Sequence, residues 1–493
     1  MGIKRSALKG SAVVALGEGL GFAASFIRNM ILARALPKAD FGIAATFAMV
    51  ITLLEVSAKM GIARFLVRDK EGNEPEFLAA AHFLHGVAAL ASCALIAALA
   101  WPIAHLFGIR EHATALLALA LIPLLHGFGH LDVRRFERTM RFGPATWIEA
   151  GPQLVITALA WPVAVWLGDY RSVLLLLVLK ALLSWTGSFL FAERPYRWLF
   201  HREYVTRMLR FGWPLILNGF LMFAVMRGDQ FVVATFYPME ELAAFAAAAS
   251  LALAPILLFS RVFASVMLPV LAKAQDDPAV FERRYRLILA FMSAFSAAYA
   301  MGLIVAAEPL MQFAFGSKYA GAGLLLAWLA AANALRNVRR ATAIAAIAKG
   351  DSVNELYSNL SGGVALLPAL AIGFLRDPVW MIAAVGLLGE FVACWVAFRR
   401  LSRRDGVPLA TSLVPSGLVL LIIAAAGALH LALEHQPWPM PVMLLLGIAA
   451  ALTGSVAVLL ILPASRQQIL LAWRRGRARG WKSLLFPPKP AAP

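Results

Sequence analysis

Charge is what this sequence has least of. Asp, Glu, Lys and Arg make up 15% of its 493 residues, against 61% hydrophobic residues; soluble domains carry about 25% charged residues. A chain so poor in charge cannot present a large surface to water, which argues against an ordinary soluble enzyme. Cysteine is almost missing. Cys93 and Cys394 stand far apart inside apolar runs, so neither a disulfide framework nor a thiolate metal site is available. The dipeptide Gly-Lys never occurs, which removes the phosphate-binding loop of ATP-driven machines. No connection between apolar runs is much longer than residues 193–212, too little to build a catalytic domain. These gaps predict a protein that is not an enzyme and holds no cofactor.

What the chain does have is apolar length. Mean hydropathy is +0.76, and apolar stretches recur from end to end, each near the ~20 residues a helix needs to cross hydrocarbon. The pattern predicts an all-α, polytopic membrane protein of about fourteen spans, with residues 11–33, 211–234 and 321–347 as the first, seventh and tenth. The formal net charge is +18. With the N-terminus in the cytoplasm, most basic residues fall in inward connections or at the termini, including Arg134, Arg135, Arg138, Arg141 and Arg399, Arg400, Arg403, Arg404. The outward connections hold Arg34, Lys38, Arg110, Arg171, Lys318 and Arg376. This asymmetry is the positive-inside rule; it places both termini in the cytoplasm and explains the basic charge without nucleic acid.

Shifting the chain by 201 residues overlays NMILARALPKADFGIAA (29–45) on QFVVATFYPMEELAAFA (230–246). Pro37 then meets Pro238, Asp40 meets Glu241, and Arg28 falls opposite Asp229. A second pair has Glu149 thirteen residues before Pro162 and Glu355 thirteen before Pro368, with Gln153 and Asn359 corresponding. The expected organisation is therefore two six-span lobes in parallel repeat, 1–200 and 201–405, then two further spans (406–463) and a basic cytoplasmic tail (464–493).

An ionisable side chain inside a span costs at least about 2.5–3.5 kcal/mol unless it meets a partner or water. The spans nevertheless contain Glu18, Arg28, Glu55, Lys59, Lys180, Arg227, Asp229, Arg261, Arg336, Arg339, Arg340 and Glu390. In FAVMRGDQFVV (223–233), Arg227 and Asp229 are two residues apart, on nearly opposite sides of a straight helix, so they do not neutralise each other. Asp229 shares a face with Asn218, unless Gly228 bends the helix. In the tenth span, Asn333, Arg336, Asn337 and Arg340 follow i, i+3, i+4, i+7 and form one polar stripe. Arg339 and Arg340 lie toward its cytoplasmic end, where snorkelling is open to them. Glu55 and Lys59 are placed to pair at i, i+4. His82 with His85, and His126 with His130, have spacings that suit a metal, but no cysteine or paired carboxylate completes a tetrahedral set, and no metal is expected.

The run ILARALPKADFGIAATFAMV, followed by KMGIARFLVR, resembles the polysaccharide-exporter branch of the multidrug/oligosaccharidyl-lipid/polysaccharide superfamily, the oligosaccharide-lipid flippases. The resemblance rests on Ala33, Arg34, Leu36, Pro37, Asp40, Phe41, Gly42, Gly61, Ile62, Val67 and Arg68. It implies two helical bundles around a cavity that opens alternately to each side. It also implies transport of an undecaprenyl-pyrophosphate-linked oligosaccharide to the periplasmic leaflet of a bacterial inner membrane, alongside other glycan-assembly membrane proteins. A cavity lined by Arg28, Arg227 and Arg336, with Arg340, Asn333, Asn337, Lys180 and Arg261, would suit the pyrophosphate, because guanidinium matches phosphate oxygens. Glu18, Glu55 or Asp229 would be candidates for a coupling ion. A drug/cation antiporter of the same superfamily would instead want carboxylates and aromatics in its cavity. A lipid II flippase shares the fourteen-span count, and a membrane glycan polymerase would need a catalytic outer loop.

Overall fold

A computed structural model describes residues 2–58, 61–434 and 438–467, with side chains except at 2–16, 54–58, 64, 214, 261, 262, 265 and 434. The side chains of Glu55 and Arg261, all of Lys59, and the basic tail beyond 467 lie outside the described residues.

Among the described residues every regular element is helical. In chain order these are α1 (Gly2–Ala35), α2 (Lys38–Ala58), α3 (Ile62–Arg68), α4 (Pro75–Leu106), α5 (Ala113–Ala118), α6 (Leu121–Gly127), α7 (Asp132–Arg138), α8 (Gly143–Ala158), α9 (Ala160–Leu167) and α10 (Arg171–Leu190). They continue as α11 (Arg202–Phe236), α12 (Met239–Ala272), α13 (Pro278–Val305), α14 (Ala307–Phe315), α15 (Gly323–Ala348), α16 (Val353–Gly362), α17 (Leu366–Leu375), α18 (Trp380–Asp405), α19 (Leu409–Glu434) and α20 (Met440–Ile461). Nine helices among the described residues are long and apolar enough to cross a membrane, or up to eleven if each bent pair is one span. The expected fourteen is not reached on length and composition alone. Every 18-residue stretch of α15 carries Arg336, Arg339 and Arg340, so this 26-residue helix is long enough to span and is left out by its charge.

Local chemistry sets the helix ends. The Asp277 carboxylate caps α13 by accepting from Ala279 N and Val280 N, both at 3.0 Å, and Pro278 occupies the first turn, where no N–H is needed. Gly168, with φ 72°, ends α9. The α8–α9 pair bends by 49° just before Pro162, which cannot donate the next backbone bond. The chain between α16 and α17 likewise breaks into a 3-10 turn over residues 363–365, shortly before Pro368.

Two compact units can be distinguished, with dividing points inside long helices, at Pro255 in α12 for example. The first comprises residues 1–254, 311–325 and 363–385. In it α1 packs on α8 and α9, α4 on α6, and α11 on α2 and α17. Gly42 at the start of α2 lies so close to the chain at Met239 that a Cβ there would overlap the Met239 carbonyl.

The second unit comprises residues 255–310, 326–362 and 386–493. Its centre is α13, which α19 and α20 flank. Ala290, Ala294 and Ala297 of α13 form an apolar cluster with Val458 and Leu462, and Gly302 and Gly447 bring α13 and α20 close, the small-residue packing usual between membrane helices. Tyr285 is fully buried; its hydroxyl lies 2.9 Å from Thr342 Oγ1 and 2.8 Å from Ser412 Oγ, tying α13 to α15 and α19.

Candidate functional site

The polar stripe of α15 is where charge and burial coincide. Asn337 is fully buried; its amide donates to Ser296 Oγ at 3.0 Å and its carbonyl accepts from Ser260 Oγ at 2.9 Å. Asn333 donates to its own helix at Leu329 O, 2.8 Å away, and its side-chain oxygen accepts from Arg336 at 3.4 Å. Arg336 also donates through Nε to Glu390 Oε1 at 2.6 Å. Arg339 holds the other oxygen of the same carboxylate, with Nε at 3.3 Å and Nη2 at 3.2 Å from Oε2. Its remaining nitrogen donates to Ser358 Oγ and Asn359 Oδ1, both at 2.9 Å.

One buried carboxylate thus serves two guanidiniums, and the cluster keeps a surplus positive charge. The two arginines differ in access: the Arg339 side chain is 6% exposed and that of Arg336 is 24% exposed. Arg340, half-buried, has Arg336, Arg339, Glu355 and Glu390 as charged neighbours, and among the described residues no hydrogen bond or ion pair holds it. Arg339, for which snorkelling was one of the open readings, is the most deeply buried of the three. Glu390 was visible as the lone charge of its span; the sequence did not reveal that two arginines share it, because α18 is distant from α15 along the chain.

The first unit holds the other expected positions. Arg28 of α1 is half-buried, donates to Asn29 Oδ1 at 3.2 Å, and keeps a buried Nε with no hydrogen-bond partner among the described residues. Arg227 donates to the Gln230 side-chain oxygen at 3.0 Å, while Asp229 Oδ1 accepts from Gln230 N at 2.7 Å. The opposite charges of this stretch therefore meet through one glutamine rather than each other. Helix α11 runs unbroken through Gly228, where a Cβ would collide with Leu366 of α17, so the glycine serves packing and not a bend. Lys180 is half-buried on α10, and Glu18 and Asn218 are exposed.

The histidines combine differently from their sequence spacing. His82 and His130 face each other with ring centroids 4.8 Å apart. His82 Nε2 accepts from Leu131 N and its Nδ1 meets Arg197 O; His130 Nδ1 accepts from Asp132 N and its Nε2 meets Arg194 O. All four ring nitrogens are thus engaged with backbone. Fully buried Asp132 accepts from Arg135 at 2.8 Å and from Glu193 N and Arg194 N at 2.9 and 3.2 Å. Outside the helices, the Glu193 carboxyl is held below the usual carboxylate range, first by its hydrogen bond from Arg135 and then by Arg141.

The family described as polysaccharide biosynthesis protein matches residues 31–323, more than half of the chain. The chain belongs to that family. The kinship expected from residues 33–68 is thereby borne out. Two relatives extend it: the succinoglycan biosynthesis transport protein ExoT of Rhizobium meliloti (strain 1021) is 23% identical over 462 residues, 91% of this chain and 91% of that protein. The lipopolysaccharide biosynthesis protein WzxC of Escherichia coli (strain K12) is 22% identical over 380 residues, 76% and 74% of the two chains. Among solved structures, the lipid II flippase MurJ in an inward closed conformation shares the fold, with TM-score 0.70 at 15% identity, covering 90% of this chain and 98% of its own.

The stretch that carries the resemblance is tied to distant parts of the first unit. Arg34 donates to Ala314 O at 2.9 Å and to Phe313 O, and Lys318 returns to the carbonyls of Arg34 and Leu36. Asp40 accepts from Tyr170 N at 3.3 Å, and Phe41 packs edge-on to buried Tyr319 at 6.5 Å.

Proposed function

We propose that this polysaccharide biosynthesis protein is a flippase that moves an undecaprenyl-pyrophosphate-linked oligosaccharide from the cytoplasmic to the periplasmic leaflet of a bacterial inner membrane. The glycan would be destined for O-antigen, exopolysaccharide or a related surface polymer. The observation that carries the reading is the Arg336–Glu390–Arg339 cluster with Arg340 beside it. A span that buries more guanidinium than carboxylate is suited to an anion, and a pyrophosphate cannot shed its water into hydrocarbon without such partners. The sugar headgroup needs a wet route, while the prenyl chain can stay in lipid. The relatives' roles in succinoglycan transport and lipopolysaccharide biosynthesis point the same way.

Arg336 and Arg340 are the residues proposed to touch the phosphates, with Asn333 and Asn337 fixing the stripe. Arg28, Arg227, Lys180 and Arg261 are proposed as further cationic positions along the route. Glu18, Glu55 and Asp229 are proposed for ion coupling. The lobes 1–200 and 201–405 would be the two halves that alternate, with N- and C-termini in the cytoplasm and no catalytic step. A drug/cation antiporter is disfavoured by the sign of the α15 charge, whereas a lipid II cargo would share the prenyl pyrophosphate and differ in the headgroup it carries, so the α15 charge does not separate the two.

The test is leaflet accessibility of defined lipid-linked sugars in vesicles containing the purified protein, paired with deletion of the gene. Transport in vesicles and accumulation of lipid-linked oligosaccharide on the cytoplasmic leaflet are expected. Normal glycan export with lost resistance to cationic compounds would overturn the proposal in favour of the antiporter.

A further inference from the structure

We propose that the cleft between the end of α3 and the first turns of α11 is a separate binding site for the phosphate of an anionic phospholipid. The cleft has a volume of about 590 Å³ and lies wholly within the first unit; Phe65 and Phe211 line it together with Arg68, Lys70, Arg207 and Arg210. Its acids are already committed. Arg207 binds both oxygens of Asp69, at 2.8 and 2.7 Å, and donates to Glu71 at 2.5 Å. Arg68, Lys70 and Arg210 are exposed and have no acidic partner among the described residues, so the cleft keeps an uncompensated positive charge.

The walls are preorganised. Phe65 lies 5.0 Å from Phe211 and 5.8 Å from Phe77, centroid to centroid, on a buried core that includes Ile62, Leu66 and Met208. The Arg68 guanidinium sits 5.6 Å from the Phe211 ring, an arrangement that steadies a cation without consuming its hydrogen-bond donors. Depth argues for a lipid rather than a soluble anion. Arg202, Arg207 and Arg210 lie along the polar start of α11, and FGWPLIL opens its apolar run. The cleft therefore stands at the polar-to-apolar transition, the level of lipid headgroups, with aromatic surface for the glycerol and arginines for the phosphate. The role is independent of which cargo the protein carries.

The experiment is native mass spectrometry of the full-length protein released from phosphatidylcholine vesicles containing a minority of phosphatidylglycerol. Wild type is expected to retain phosphatidylglycerol preferentially. The triple variant Arg68→Gln, Lys70→Gln, Arg210→Gln should lose that preference by roughly a hundredfold, each cation contributing about fivefold near an anionic headgroup. Because none of the three holds an ion pair among the described residues, and the exposed Arg68–Phe211 contact is worth only about 0.5–1 kcal/mol, the unfolding midpoint in uncharged detergent should fall little in the triple variant and stay unchanged in Arg210→Gln; should the triple variant not fold, Arg210→Gln alone, with about a fivefold loss, carries the same test. Equal retention by variant and wild type would overturn the proposal. Displacement of the lipid by inorganic phosphate, but not by chloride of equal ionic strength, would assign the cleft to a soluble phosphate and overturn the lipid assignment.

Discussion

A carboxylate shared by two guanidiniums makes the loss of each partner unequal. Removing the charge of Glu390 takes from Arg336 and Arg339 the carboxylate they share, and Arg339 is buried. Breaking a buried pair from one side costs about 3–5 kcal/mol. Glu390→Gln should therefore lower the unfolding midpoint and the yield of monodisperse protein. Arg336→Gln is different, because Arg339 still neutralises Glu390 through two nitrogens. This variant should fold at normal abundance yet transport roughly ten- to a hundredfold more slowly, the value of one charge-assisted contact to the phosphates. Size-exclusion profiles measured beside vesicle transport separate the two outcomes; a misfolded Arg336→Gln would make that arginine purely structural. Arg340→Gln breaks no bond within the described residues, so a transport loss without any stability change is expected there too.

At the scale of elements, the sequence was informative wherever periodicity acted locally. The i, i+3, i+4, i+7 stripe named the face of α15 that carries Asn333, Arg336, Asn337 and Arg340, whereas Pro162 and Pro368, which the sequence offered only as repeat markers, lie just after helix breaks. What it could not supply was pairing across helices. The stripe says which way Arg336 points and nothing about Glu390, and the histidine spacings suggested pairs at i, i+3 and i, i+4 where the fold joins His82 to His130. Nor could it supply the contacts of the ARALPKADFG stretch, since Arg34, Asp40 and Phe41 take partners far along the chain. That stretch yields a prediction of its own. A side chain at residue 42 would push against a backbone carbonyl, which cannot swing aside as a side chain can. Gly42→Ala should cost at least about 1–3 kcal/mol, read as a lower unfolding midpoint. An unchanged midpoint would mean that α2 and the start of α12 can separate freely.

For the whole molecule, hydropathy was enough to identify a helical membrane protein, and the positive-inside pattern predicts an orientation, whereas the proposed cargo rests on a few charges that hydropathy averages away. If the surplus guanidinium charge of α15 grips the cargo through its phosphates, transport must depend on phosphate charge more than on sugar identity. Two substrates with the same glycan and the same prenyl chain, joined by pyrophosphate in one and by monophosphate in the other, isolate that term. The monophosphate loses charged oxygens that Arg336 and Arg340 would hold, each such contact being worth about 1.5–3 kcal/mol. Its transport should be slower by about tenfold or more in wild type, and the gap should narrow in Arg336→Gln, where one of the two discriminating partners is gone. Equal rates for both substrates in wild type would move recognition away from the phosphates and onto the sugar, and the α15 cluster would then be a structural brace between α15 and α18.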